Sequence, residues 1–97
     1  MYKILIFLKK VGDESVLTHF RDVTIPKLES LVKSKVPLAD IEGSALSEEK
    51  YHKYCEAVFS KKEDLDRLFQ SPEGKEFNKE LAGLGRHISV FYANFGG

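Results

Sequence analysis

Glu56 stands inside the run YHKYCEAVFS (Tyr51 to Ser60), two residues after Tyr54 and four after His52. If that run is a strand, its side chains repeat every second residue, so an imidazole, a phenol and a carboxylate share one face. Such a cluster suits proton transfer. A carboxyl desolvated by apolar neighbours has its pKa raised and can serve as a general base. Two plainer readings stand beside that one. Glu56 can pair with a Lys or Arg, or with a buried hydroxyl, and fix the register of an interface. His52 can be a solvent-exposed histidine at the start of a strand, and Tyr54 a ring that fills space.

The other reactive side chains offer less. Cys55 alternates with Glu56, so it faces the opposite side of the strand, beneath a helix, where a free thiol behaves as a small hydrophobe. His19, next to Phe20, falls on a helix flank, and His87, beside Arg86, opens a strand; both read as surface histidines. Three histidines with no i, i+4 pair and no cysteine partner make no metal site. GxGxxG, GxxxxGK[ST] and GxSxG are all absent, which weighs against the common nucleotide and hydrolase sites, and no cofactor is expected.

These residues need elements to place them. YKILIFLK (Tyr2 to Lys9), rich in β-branched and aromatic residues, predicts a first strand ending at the turn Lys10-Val11-Gly12-Asp13. Val16, Phe20, Val23, Leu28 and Leu31 then recur at helical spacing, predicting a helix over Asp13 to Leu31 with Asp13 as its N-cap. Pro26 lies inside that helix and should kink it or restart it, with Pro26 in the new first turn. Val32 to Ser44 carries Pro37 and Gly43 and reads as an edge strand, because a central strand does not tolerate proline.

After the charged connector Ser47-Glu48-Glu49-Lys50 comes the strand Tyr51 to Ser60, then a helix with Leu65, Leu68 and Phe69 on its buried stripe. Ser71-Pro72-Glu73 supplies an N-cap, a first-turn proline and an acid at the positive end of a further helix, whose buried positions are Phe77, Leu81 and Leu84. Gly83 and Gly85 can end it. Arg86 to Phe95 is the last strand, and Gly96-Gly97 reads as a tail. The order is βαββαβ, an α+β sandwich of ferredoxin-like order in one domain over residues 1–97.

Both helices of such a unit lie on one side of the antiparallel sheet, so a monomer should alternate apolar and polar residues along its strands. These strands do not. Ile4, Ile6 and Leu8 oppose Leu5 and Phe7, while Ile88, Val90 and Tyr92 oppose Phe91, Ala93 and Phe95, so both faces are apolar. A second copy, related by a two-fold axis, would cover the open face and form a homodimer.

Lys plus Arg and Asp plus Glu each number 15 in 97 residues, so no excess positive charge is available for a nucleic-acid backbone. The apolar run Ile4 to Leu8 is far short of the roughly 20 residues that span a bilayer. A lone cysteine and no secretory leader pattern point to the reducing cytoplasm.

The succession YHKYCEAVFS, KKEDLDRLFQ, SPEGKEFNKEL and a closing apolar strand resembles the second half of EthD-type proteins. ILIFLKK and HFRDVTIPKLESL resemble the first half, so the likeness covers nearly the whole chain, with Ser71-Pro72-Glu73-Gly74 as its most specific part. The resemblance implies a dimeric α/β barrel and a pocket enclosed between sheet and helices. It also implies a role in catabolism or modification of small organic compounds of aromatic, polyketide or ether type. It makes Glu56 the strand glutamate, and an EthD-type pocket would take Thr24, Tyr54 and Glu56 as its polar handles; His52, from its place on the same strand face, is a second candidate for catalysis. One departure bears on catalysis. Where the family's helix one often carries His-x-Pro, this chain has Thr24-Ile25-Pro26, and a threonine hydroxyl can hydrogen-bond a ligand but cannot shuttle protons near neutral pH. A non-catalytic binding or regulatory module on the same scaffold is the alternative.

Overall fold

β1 (Tyr2–Lys9) is the centre of the sheet, and its composition explains why: Ile4, Ile6 and Leu8 are each at most 1% exposed, while Leu5 and Phe7 fill the other face. The computed structural model describes residues 1–10, 13–45 and 50–96. The expected turn residues Val11 and Gly12, the connector Ser47-Glu48-Glu49 and the terminal Gly97 lie outside the described residues. β2 (Ala39–Asp40), β3 (Tyr51–Phe59) and β4 (Ile88–Asn94) complete an antiparallel sheet of order β2-β3-β1-β4.

Helix one divides into three parts. α1 (Glu14–His19) starts at Asp13, whose carboxylate accepts the Ser15 N–H at 2.9 Å. Proline at position 26 has no N–H to give the Asp22 carbonyl, and its ring would crowd that carbonyl in a regular α-helix. The chain widens into a π-turn over Phe20–Thr24, in which the Ile25 N–H reaches the Phe20 carbonyl, and α2 (Ile25–Val32) then restarts with Pro26 in its first turn. Phe20 and Leu28, eight residues apart, would be skewed by about 80° in an unbroken α-helix. The extra residue in the π-turn removes most of that skew, and both side chains are buried at 0% and 1%.

The strand expected over Val32 to Ser44 shrinks to Ala39–Asp40. α2 runs on to Val32 and closes with Lys33 in the left-handed region at φ 55°, and Pro37 keeps the following loop from pairing. Glu29 holds that loop in place by accepting the Ser34 N–H on its carbonyl at 3.3 Å and the Val36 N–H on its carboxylate at 2.8 Å.

α3 (Lys62–Gln70) buries Leu65 and Leu68, and α4 (Pro72–Gly83) buries Phe77 and Leu81. The Ser71 hydroxyl caps α4 by accepting the Gly74 N–H at 3.0 Å. Gly74 is required by a close approach: a Cβ there would lie 1.3 Å from the Leu68 carbonyl oxygen of α3. The helices cover one face of the sheet over a core that includes Phe20, Phe77, Ile4, Ile6, Leu8 and Cys55. On the other face Val58, Phe91 and Phe95 remain about half exposed, as the lack of alternation in the strands predicts.

Candidate functional site

The open face of β1, β3 and β4 gathers three aromatic rings around Phe7. The Tyr54 ring centroid lies 4.7 Å away, that of Tyr51 5.3 Å and that of Phe91 6.0 Å. One polar network crosses this apolar row. Lys3 on β1 donates to Glu56 Oε1 at 3.0 Å, the Tyr54 hydroxyl donates to Glu56 Oε2, and the Lys3 ammonium sits 4.8 Å from the Phe95 ring centroid. The sheet itself sets this pairing. Leu5 is opposite Glu56 and Lys3 opposite Val58 in the β1–β3 ladder, which places Lys3 diagonally across from Glu56 on the same face.

The electrostatics reverse the sequence expectation for Glu56. Hydrogen bonds from Tyr54 and Lys3 satisfy both carboxylate oxygens and hold the carboxyl below its usual range, although burial pushes it up. Of the two readings of Glu56, the partnered one describes this geometry. Burial, with the Glu56 hydrogen bond and charge, pushes the Tyr54 phenol up to about 12. A stabilised carboxylate is a weak base and a phenol at that level keeps its proton, so the pair orients a ligand better than it moves a proton.

His52 does not join them. The β1–β3 register shifts between Leu8 and Lys9, so that Leu8 faces Lys53 and Lys9 faces Tyr51. This irregularity breaks the strict alternation, and Tyr51 takes the place beside Phe7, with its hydroxyl 3.2 Å from Ser89 Oγ on β4. The His52 carbonyl instead accepts the Ile41 N–H at 3.0 Å, and its ring lies within electrostatic reach of Asp40.

Thr24 belongs to the helix layer on the other side of the sheet, 1% exposed, and donates to Glu80 Oε1 at 3.1 Å. His19 Nε2 meets the same oxygen, and Lys27 reaches Oε2 at 3.4 Å. Burial raises the Glu80 carboxyl, but the hydrogen bonds from His19 and Thr24 and the charges of His19 and Lys27 together bring it below its usual range. This cluster ties the π-turn and α2 to α4, apart from Tyr54 and Glu56. Sequence reading missed Glu80, although the signal was present: Phe77, Glu80, Leu81 and Leu84 are spaced i, i+3, i+4, i+7, which sets a carboxylate on a buried stripe.

Cys55 is buried on the helix side, and burial, with the Glu56 charge, pushes its thiol up to about 12. Among the described residues no three His, Cys, Asp or Glu side chains gather into a metal-holding group, and no helix is long and apolar enough to cross a membrane. Tyr54 and Glu56 also border a groove of about 400 Å³ along the outer edge of β3, walled on the far side by Val32, Val36 and Pro37.

No protein-family model and no curated protein matches the sequence. Solved structures do match the fold. An ethyl tert-butyl ether degradation (EthD) family protein from Bacillus halodurans superposes with a TM-score of 0.81 at 20% identity, covering 97% of each chain. A dimeric ferredoxin-like protein of unknown function from Jannaschia sp. gives 0.72 at 15% identity, over 96% of this chain and 97% of that one. A hydroxynitrile lyase from Passiflora edulis gives 0.70 at 17% identity, over 99% and 95%. The chain therefore has the α+β ferredoxin-like fold, shared with proteins described as EthD-type and as dimeric.

Proposed function

We propose that two copies of the chain pair through the open sheet face into a dimeric α/β barrel and hold a small organic molecule beside that interface. The role is that of a cytoplasmic binding or accessory factor in the catabolism or modification of aromatic, polyketide or ether-type compounds, without nucleic-acid or membrane partners. The observation that carries this reading is the aromatic row around Phe7, crossed by the Lys3–Glu56–Tyr54 network. β1, β3 and β4 of 8, 9 and 7 residues give a footprint of roughly 15 by 25 Å. An apolar patch of that size marks an interaction surface. Within it Tyr54 offers a hydroxyl fixed in direction, and Lys3 retains N–H donors beyond the one given to Glu56.

Native mass spectrometry of freshly purified protein at micromolar concentration tests both halves. The expected species has twice the 11.0 kDa chain mass, with added mass where a small molecule is retained. Phe91→Lys and Leu5→Lys, each placing a charge in the face, are expected to yield monomers. A monomer from the unmodified chain would overturn the dimer and with it the enclosed site.

A catalytic version of the same site has one observation in its favour: Tyr54 and Glu56 share a proton-bearing hydrogen bond on a fold that also serves a hydroxynitrile lyase. Glu56→Gln separates the two. Turnover lost with ligand affinity kept would mean catalysis, and affinity lost would mean binding.

A further inference from the structure

The outer edge of β3 lies beyond the aromatic face. β2 pairs with it only through Ala39 with Tyr54 and Asp40 with Lys53, followed by the Ile41 N–H on the His52 carbonyl. In an antiparallel ladder, main-chain N–H and C=O groups alternate in direction, so residues 52, 54, 56 and 58 share one side. His52 and Tyr54 point theirs at β2. Glu56 and Val58 therefore point theirs past the end of β2, and no main-chain partner meets them among the described residues.

The space they face is a trough. The groove of about 400 Å³ along Tyr54–Val58 shares Val32 and Val58 with a second of about 480 Å³ that continues to Ser60. Five residues of β3 beyond the last β2 pair correspond to about 17 Å of strand. The far wall, made by Val32, Val36 and Pro37, is held off by the bond from the Val36 N–H to Glu29, so this loop does not pair with the edge.

We propose that this edge accepts an extended segment of another protein as an added strand, and that the segment carries an acidic residue. A strand edge beside an apolar groove binds peptides in this way: main-chain bonds give affinity and alternate side chains fill the groove. The charge follows from the rim. Lys33 and Lys35 are exposed there and meet no acidic side chain among the described residues, whereas Glu56 is engaged by Lys3 and Asp64 by Arg67, which leaves Glu73 as the one acid of the lining without such a partner against two lysines. The β4 strand of a second copy fits less well, because Ile88–Asn94 contains no acid and follows the basic pair Arg86 and His87.

The test uses a fluorescein-labelled six-residue peptide of alternating valine and threonine with one central glutamate. Anisotropy reads its affinity for the full chain, and amide hydrogen exchange reads Glu56 and Val58. Saturable binding is expected, with new protection at those two amides. N-methylation of the peptide's edge-facing amides should weaken binding about ten-fold. A lysine in place of the glutamate, or Lys33→Gln combined with Lys35→Gln, should weaken it by a similar factor. Val58→Pro, which removes one outward N–H, should also weaken it, and the methylated peptide keeps the test sound if that variant does not fold. Three results would overturn the proposal: no saturation at millimolar peptide, equal affinity for the lysine peptide, or Glu56 and Val58 amides already protected in the free protein by a second copy.

Discussion

Replacing Gly74 by alanine sets two contributions of opposite sign against each other. Helix propensity alone favours alanine inside α4 by about 1 kcal/mol. The packing opposes it: the new methyl would lie 1.3 Å from the Leu68 carbonyl oxygen, 2.5 Å from its carbon and 3.0 Å from Ser71 Oγ. Carbon and oxygen need about 3.3 Å, so the end of α3 and the start of α4 must part by roughly 2 Å. That displacement breaks the Ser71 cap on the Gly74 N–H, a loss of about 1 kcal/mol. It also loosens Leu68 and Phe77, both buried beside the contact, for another 1–3 kcal/mol or so. The net expectation is a loss of about 2 kcal/mol. Urea unfolding at one fixed protein concentration reads it, because the stability of a dimer depends on concentration. Gly83→Ala is the matched control: nothing lies within 4 Å of a Cβ there and the backbone is not left-handed. That control should gain about 0.5–1 kcal/mol. A Gly74→Ala chain as stable as the parent would refute the reasoning about the α3–α4 contact.

Thr24→Val keeps the shape but removes the hydroxyl bonded to Glu80; a loss of about 1–2 kcal/mol in chemical unfolding is expected, since the acceptor is charged and half-buried. Glu56 and Glu80 both have folded-state carboxyls below the ordinary value, so their stabilisation is complete above about pH 5 and is lost as pH falls through the lowered values. Denaturation from neutral to acid pH should follow that sign, with a shallower fall for Glu80→Gln; stability that rises on acidification would contradict it. Ultraviolet titration should show a tyrosine ionising near 12 that disappears in Tyr54→Phe. The Cys55 thiol, buried and pushed up to about 12, should resist maleimide in the native protein and react at once in denaturant. Rapid native labelling would mean that the helix layer opens there.

Most of the scaffold was legible because its signals are local. Strand β1, the Asp13 cap, the Ser71-Pro72 start of α4 and the edge position of β2 each follow from residues next to one another. The EthD resemblance was matched at the level of fold. The site was less legible because its geometry is relational. Lys3 and Glu56 are 53 positions apart, and their pairing depends on a ladder register that periodicity alone does not give. The irregularity opposite Leu8 and Lys9, which substitutes Tyr51 for His52 beside Phe7, has no composition signal such as a glycine. The family resemblance groups Thr24 with Tyr54 and Glu56, whereas its hydroxyl answers to Glu80 in the helix layer. β2 is shorter than the sequence predicts because α2 and the Glu29 contacts hold residues 33–38, which carry no helical pattern, away from the sheet.

The π-turn has a consequence for editing the length of this chain. It holds one residue more than an α-helical path over the same rise, so the segment 20–24 is where the helix layer can lose a residue and still close its hydrogen-bond ladder. In phase, the loss would be nearly silent: with one residue removed, Phe20 and Leu28 would stand seven apart on a regular helix, within about 20° of one another, and His19 would keep its side toward the carboxylate that Lys27 also reaches. The cost falls on Pro26, whose ring would then crowd the carbonyl four residues back. A one-residue deletion at Asp22 should therefore keep the core and strain the helix at Pro26, whereas the same deletion after Pro26, where the helix has no slack, should rotate everything upstream by about 100° and cost helix and core together.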